Sequence, residues 1–296
     1  MIPITKLKKD VSFNTELTQV VDVLKGIAAA RYHLLERQLS LFEPFFQAAG
    51  EILAAIDVRT VQHPFVQVFS PVTAVLMVTS DGGFLGGLNT QVVNAGVHAA
   101  GNRGLLTVIG ERGAGYISDL HLDCTAFPGI TDGSRYSQAV TVGNHLIRQL
   151  LAGQCGKIVV TYPKPTSFST QEVVSEVLLP CSAWIPQGQV SPDIVWESRM
   201  EDVLQYLVSY WVARRLDEVF ALSRLAELSA RVVHLEGSYQ ELVRRGKKLK
   251  QEYFRVRHEI IDRSMREIFA AQLLYRRALE EKAAAHETVG AEREST

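Results

Sequence analysis

Cysteine is scarce in this chain of 296 residues, which carries three, Cys124, Cys155 and Cys181, with no C-x-x-C pair among them. An odd number at these spacings excludes a disulfide framework and a cysteine zinc site, and it suits a reducing compartment. No apolar run approaches the roughly 18–20 residues that a helix needs to cross a bilayer, and the N-terminus lacks the apolar core of a secretory signal. The net charge of −1 gives no overall attraction to nucleic acid or anionic lipid. We therefore expect a soluble, cytosolic protein that could still dock on a membrane complex.

Motifs of catalysis are also missing. The eight histidines include no H-E-x-x-H pattern, and no G-x-S-x-G nucleophile elbow occurs. The glycine-rich loop at 80–89 follows an apolar, β-branched run, but it lacks the Lys-Ser/Thr of a P-loop and the spacing of a dinucleotide fingerprint. Glycine there permits tight packing between a strand and a helix. We predict no catalytic residue, no metal site and no cofactor, with an NAD(P)-dependent enzyme as the alternative that the loop leaves open.

Proline is absent from residue 193 to the C-terminus, which permits one very long helix because an interior proline costs about 3 kcal/mol. Mostly apolar residues in this arm are separated by alternating steps of three and four positions. This spacing is the 3.5-residue repeat of a coiled-coil seam. The repeat consists of Leu225, Leu228, Val232, Leu235, Tyr239, Leu242, Gly246, Leu249, Tyr253, Val256 and Ile260. We predict a helix from about residue 197 to 287.

A second repeat of this kind lies near the N-terminus and ends at a break before Pro44. Its positions are Leu17, Val21, Leu24, Ala28, Arg31, Leu35, Gln38 and Phe42. The simplest arrangement pairs the two arms as an antiparallel coiled coil, and a homodimeric coil through either arm is the alternative. The residues that we assign to the seam are Val21, Leu24, Ala28, Val232, Leu235 and Leu242.

The middle of the chain alternates strand-like and helix-like segments, which is the pattern of a mostly parallel α/β sheet. The predicted order is strand 72–79, helix 89–100 with Asn89 as a candidate cap, strand 104–109, helix 134–151, strand 157–162 and strand 171–179. The last strand should run antiparallel to its neighbour because only about eight residues link the two. We divide the chain into an N-terminal coiled-coil helix at 1–60, an α/β domain at 61–195 and a C-terminal coiled-coil helix with a tail at 196–296.

One run of charge stands out in the C-terminal arm, where seven basic residues fall between Arg244 and Arg257 and only Glu252 opposes them. Tyr253 and Phe254 are interleaved, so a nucleic-acid binder or a coiled-coil adaptor is a further alternative. A solvated helix face and a surface for an acidic protein partner are the other interpretations.

Several segments resemble the γ subunit of F-type ATP synthases, in the same order along the chain. The loop Ser80-Asp-Gly-Gly-Phe-Leu-Gly-Gly-Leu-Asn89 resembles the family's S-D-R-G-L-C-G-G-[LF]-N. The matching residues of this loop are Ser80, Asp81, Gly86, Gly87 and Asn89. Residues 20–31 are similar to I-T-K-A-M-K-M-V-A-[AS]-[AS]-K, and residues 227–233 to S-E-x-x-[AS]-R-M-V. The resemblance extends over about residues 5–272.

The resemblance implies a long antiparallel coiled coil joined to a Rossmann-like open sheet that binds no nucleotide. It implies a central-stalk rotor subunit without an active site of its own, which couples ion flow through a membrane ring to ATP synthesis or hydrolysis. The implied partners are the α/β catalytic ring, the ε subunit and the membrane c-ring, with no nucleic acid. The implied location is the cytoplasmic face of the bacterial inner membrane, where the chain would be peripheral.

The sequence departs from the family pattern at several positions. The motif's Arg and Cys are Gly83 and Leu85 here, and the family's I-T-Q-E near the tip is Ile261-Asp-Arg-Ser264. This divergence suggests an alternate bacterial F-type ATPase. The basic residues that we expect to face the catalytic ring are Arg231, Arg255 and Arg257.

Overall fold

The computed structural model describes residues 3–54, 62–183 and 198–294. The helices in these ranges are α1 (Ile4–Leu39), α2 (Glu43–Ala54), α3 (Leu88–Ala100), α4 (Glu111–Asp119), α5 (Arg135–Leu151) and α6 (Met200–Glu294). The strands are β1 (Thr73–Val78), β2 (Leu105–Ile109), β3 (Thr125–Phe127), β4 (Lys157–Pro165) and β5 (Gln171–Leu179). Two compact units result, one from the residues up to 21 together with those from 238 onward, and the other from residues 22–237. The predicted domain boundaries at residues 60 and 195 lie outside the described residues.

A five-stranded sheet forms the centre of the unit at residues 22–237. The strand order is β3-β2-β1-β4-β5, with β1 parallel to β2 and β4, and β5 antiparallel to β4. The central strand β1 is buried on both faces, which explains why its sequence Thr-Ala-Val-Leu-Met-Val is continuously apolar and does not alternate. The predicted α/β class and the antiparallel direction of the last strand are confirmed.

Successive residues of β1 point into two different cores because side chains alternate along a strand. Val75 and Met77 pack into a cluster that includes residues of α3 and α4, where Gly96 lets α3 approach Met77 closely. Leu76 and Val78 pack into a larger cluster with α5 and the part of α6 at 204–220. One face of the sheet is therefore covered by α6 itself.

The N-terminal and C-terminal helices pair in an antiparallel manner, as predicted. Within the unit at 22–237, buried residues of α1 and of the segment at 40–42 pack against α6. The cluster contains Ala28, Tyr32, Leu35, Phe42, Ala221, Leu225, Leu228 and Val232. Lys25 forms an ion pair with Glu236 at 3.0 Å, and the Arg214 guanidinium lies over the Phe42 ring at 5.3 Å. From Lys25 to Phe42 the chain advances, while the contacted residue of α6 moves back from Glu236 to Arg214. The two helices therefore run in opposite directions.

The other unit contains the N-terminal part of α1 and the C-terminal part of α6. The Asn14 side-chain amide donates a hydrogen bond to the Leu242 carbonyl at 3.0 Å. Gly246 makes this approach possible, because a methyl group there would lie 2.8 Å from the Asn14 amide nitrogen. Asn14 and Leu7 are both buried.

The face that α1 turns toward α6 differs from the predicted one at every second position. Val21, Ala28 and Leu35 are buried, but Leu24 is 42% exposed. The less exposed positions between them are Thr18, Lys25, Tyr32 and Leu39, in place of the predicted Leu17, Leu24, Arg31 and Gln38. Both sets keep a 3.5-residue repeat, so the assignment of Leu24 to the seam followed its apolar side chain and was wrong. Lys25 takes that place because its ammonium group reaches Asp22 and Glu236 while its aliphatic stem lies along the helix pair.

The long helix α6 includes the predicted span apart from its first residues and continues beyond it to Glu294. The predicted break near Pro44 is present, because α1 ends at Leu39 and α2 begins at Glu43. Among the described residues, no helix is both long and apolar enough to span a membrane.

Candidate functional site

The glycine-rich loop at 80–89 connects β1 to α3 and is held by its own side chains. The Ser80 backbone N–H donates to Asn89 Oδ1 at 3.2 Å, and Asn89 Nδ2 donates to Ser80 Oγ at 3.0 Å. Asn89 therefore closes the loop and is not the cap of α3, which is at Gly87. Phe84 and Gly86 adopt left-handed backbone conformations, with φ of 64° and 60°. The loop is thus a defined turn with both ends tied together.

Asp81 joins this loop to two neighbouring connections of the sheet. Its Oδ1 accepts a hydrogen bond from the Glu111 backbone N–H at 2.8 Å, at the N-terminus of α4. A carboxylate at a helix N-terminus is stabilised by the helix dipole. The carboxylate also packs against Gly129, where a side chain would collide with it. Asp81 therefore fixes the loop to the carboxyl edge of the sheet.

The other side of the loop contacts α6 through paired charges. Arg231 Nη2 donates to Glu227 Oε1 at 2.5 Å, and Arg224 Nη1 donates to Glu227 Oε2 at 2.6 Å. The Glu227 side chain is only 9% exposed, and both of its oxygens are bound by arginines. Burial lowers the pKa of Arg224, but the attraction of Glu227 and of Asp132 and Asp81 outweighs it, so that pKa is raised overall.

A cavity of about 280 Å³ lies between the end of β1, the connection after β3, and α6. In doubly wound folds, ligands bind in crevices at the carboxyl ends of the strands. Here Arg224, Glu227 and Arg231 line that crevice and satisfy one another. Within the described ranges, no group of three or more His, Cys, Asp or Glu side chains could hold a metal ion.

The predicted seam residues on α6 lie on one face of the helix. Val232 and Leu235 are buried, and Leu242 is half-buried in the other unit. Leu225 and Leu228 lie in a stretch at 225–230 that is buried throughout. Farther along, Tyr239, Gly246, Leu249 and Val256 are each less exposed than both neighbours, whereas Ile260 is exposed.

The three arginines that we expected to face a ring lie in different surroundings. Arg255 and Arg257 are exposed on either side of the buried Val256. Arg231 is not an outward-facing residue, since its side chain is 19% exposed and its Nε donates to the Gly83 carbonyl at 3.4 Å. The ion pair with Glu227, one helical turn earlier, draws the guanidinium onto the loop.

Sequence reasoning missed two residues of this site. Glu227 pairs with Arg231, and His234 contacts the loop at Gly86. Both lie on one face of α6 with Arg231, at spacings of four and three. Glu at i and Arg at i+4 is a readable signal for a helical ion pair. The contact of His234 with Gly86 joins residues far apart in the chain, so local spacing does not reveal it.

A doubly wound sheet with α6 along its ligand crevice, together with the antiparallel pairing of α1 and α6, defines a shaft-type structural protein. A sequence profile of the ATP synthase family matches residues 5–272. The chain belongs to this family, as a γ subunit that forms the central-stalk rotor of an F-type ATP synthase.

Known relatives agree with this assignment. The chain is 22% identical over 267 residues to the ATP synthase gamma chain of Ruminococcus albus, which covers 86% of this chain and 92% of the relative. It is 25% identical over 229 residues to the ATP synthase gamma chain of Streptomyces avermitilis, with coverage of 71% and 75%. The fold resembles the rotor of the Euglena gracilis mitochondrial ATP synthase, with a TM-score of 0.62, 14% identity and coverage of 87% and 98%. It also resembles the central stalk and c-ring structure from Tetrahymena thermophila, with a TM-score of 0.59, 17% identity and coverage of 74% and 99%.

Proposed function

We propose that this chain turns inside an α/β catalytic ring and is seated on a membrane c-ring, with an ε subunit as a further partner. In this function it transmits rotation between ion flow and ATP synthesis or hydrolysis. It would be peripheral, attached to the cytoplasmic face of the bacterial inner membrane through the complex. The observation that carries the proposal is the antiparallel pairing of α1 with α6, beside a sheet domain whose crevice is lined by α6.

A rotor must resist bending and twisting, and the helix pair supplies the contacts for this. Each fully buried apolar side chain contributes about 1.5–3 kcal/mol. Leu35, Leu225 and Leu228 are all at most 5% exposed in one cluster between the two helices. The Arg214 guanidinium, over the rings of Phe42 and Phe45, adds cation–π contacts at the end of that cluster.

We further propose that Arg255 and Arg257 face the catalytic ring. Both are exposed on α6, and among the described residues neither forms an ion pair that would keep its guanidinium from a partner. Cationic side chains on one face of a rotor attract carboxylates of a surrounding ring only at certain angles of rotation. The electrostatic attraction between shaft and ring would therefore depend on the rotation angle.

An enzyme that uses a nicotinamide cofactor is disfavoured by the paired charges that line the crevice. The side chains of Arg224, Glu227 and Arg231 occupy the edge of the sheet where a dinucleotide would approach. A cofactor would have to displace two ion pairs that are already satisfied, and this costs free energy.

Affinity purification from detergent-solubilised membranes tests the proposed assembly. The tagged chain should bring down a large ring that hydrolyses ATP together with a small, apolar membrane subunit. A chain with Leu228→Asp and Leu235→Asp serves as the control, because two buried carboxylates prevent the helix pair from forming. Recovery of the unmodified chain alone, or with nucleic acid, would contradict the proposal.

A further inference from the structure

Three side chains on one face of α6 meet the glycine-rich loop. Glu227, Arg231 and His234 are spaced by four and three residues, so they lie along one side of the helix. Arg231 approaches Gly82 and donates to the Gly83 carbonyl, while the His234 ring packs against Gly86. A side chain at Gly86 would collide with that ring. The glycines therefore let the arginine and the histidine sit directly on the loop backbone.

The loop is anchored equally firmly on its far side. Asn89 ties its two ends together through Ser80, and Asp81 holds it to the N-terminus of α4. Any force that α6 exerts on the loop is thus passed to the central strand β1 and to α4.

The type of contact distinguishes this site from the apolar packing around it. Apolar burial is non-directional, so packed helices can slide or rotate slightly without losing it. Hydrogen bonds weaken steeply once their angles change, and charge-assisted ones are the strongest. The contact of Arg231 with the Gly83 carbonyl therefore depends on the orientation of α6 relative to the loop, a dependence that apolar packing lacks.

We propose that Arg231 and His234, seated on the loop at 80–89, form a latch that transmits torque between α6 and the sheet. The proposal rests on the rotor function given above. The loop that cradles phosphate in nucleotide-binding folds here receives a guanidinium group and an imidazole ring. Glu227 positions Arg231, and Arg224 neutralises the remaining charge of Glu227.

Hydrogen exchange of the full chain tests the latch without the complex. Arg231→Ala should speed exchange of the hydrogen-bonded loop amides of Ser80 and Leu88 by about tenfold to a hundredfold, the effect of losing one charge-assisted hydrogen bond on local opening. Gly82→Ala, which displaces the guanidinium but keeps Arg231, should raise exchange of the same amides. Arg148→Ala is the matched control, because Arg148 is exposed on α5 and its Nε donates to the Asn144 carbonyl of its own helix. Unchanged exchange of the Ser80 and Leu88 amides in both variants would overturn the latch.

Coupling in the assembled complex is the second readout. Complexes with Arg231→Ala should hydrolyse ATP at a rate close to that of the unmodified complex but pump fewer ions per ATP in inverted membrane vesicles. Arg148→Ala should pump normally. If the Arg231→Ala complex assembles and pumps normally, the latch is wrong while the rotor function stands. If the unmodified chain brings down no ring, the rotor function itself is wrong.

Discussion

Leu228 offers a direct test of the packing between α1 and α6. Its side chain is 2% exposed and lies in the cluster with Ala28, Tyr32 and Leu35. Leu→Ala at a buried site costs about 2–5 kcal/mol, through lost transfer free energy and the cavity left behind. Because Ala28, Val232 and Leu35 surround the site from two helices, the cavity cannot collapse freely, and we expect at least the middle of that range.

The assay is urea denaturation of the full chain, followed by circular dichroism of the helices. With a slope of about 2 kcal/mol per molar urea, a loss of about 3.5 kcal/mol lowers the transition midpoint by about 1.75 M. Leu274→Ala is the control, because Leu274 is a leucine of the same helix that is 67% exposed, and surface changes cost at most about 0.5 kcal/mol. An equal effect of the two substitutions would refute the antiparallel packing described above.

Three further predictions follow from burial and charge. Burial raises the pKa of the Cys155 thiol to about 11, so iodoacetamide at pH 8 should modify the half-buried Cys124 well before Cys155, as read by mass spectrometry. Burial lowers the pKa of His145, so the unfolded chain takes up the proton at a higher pH than the folded chain does. The free energy of unfolding should therefore fall as the pH drops below about 6.5. Urea titrations at pH 7 and 5.5 should show a smaller fall in His145→Gln. Charge reversal at Arg255 and Arg257 should leave the complex assembled but lower ATP-driven pumping in vesicles, and unchanged pumping would count against a ring-facing role.

Local sequence patterns predicted most of the fold because those patterns have local causes. The apolar run of β1 and the antiparallel β5 follow from burial on two faces and from a short link between strands. The proline-free C-terminal arm is one helix, because nothing in it interrupts the backbone hydrogen bonds. Residues 225–256 also kept the predicted repeat on their less exposed face.

The misses arose where a residue's partner is distant in the chain. Leu24 and Lys25 are adjacent on α1, and hydrophobicity alone favoured Leu24, yet Glu236 on α6 makes Lys25 the inward residue. We expected Arg231 to face a catalytic ring, but Glu227 and the Gly83 carbonyl hold its guanidinium on the loop. The Lys25–Glu236 pair and the contact of Arg231 with the Gly83 carbonyl join residues far apart in the chain, so local patterning does not reveal them.

Single-molecule rotation measures the central claim most directly. The label is attached through Ser118→Cys, an exposed position on α4, in a Cys124→Ser background, while the catalytic ring is fixed to a surface. We predict that ATP drives continuous rotation of the label in one direction. A ring that hydrolyses ATP while this chain stays still would contradict the assignment of a rotating shaft.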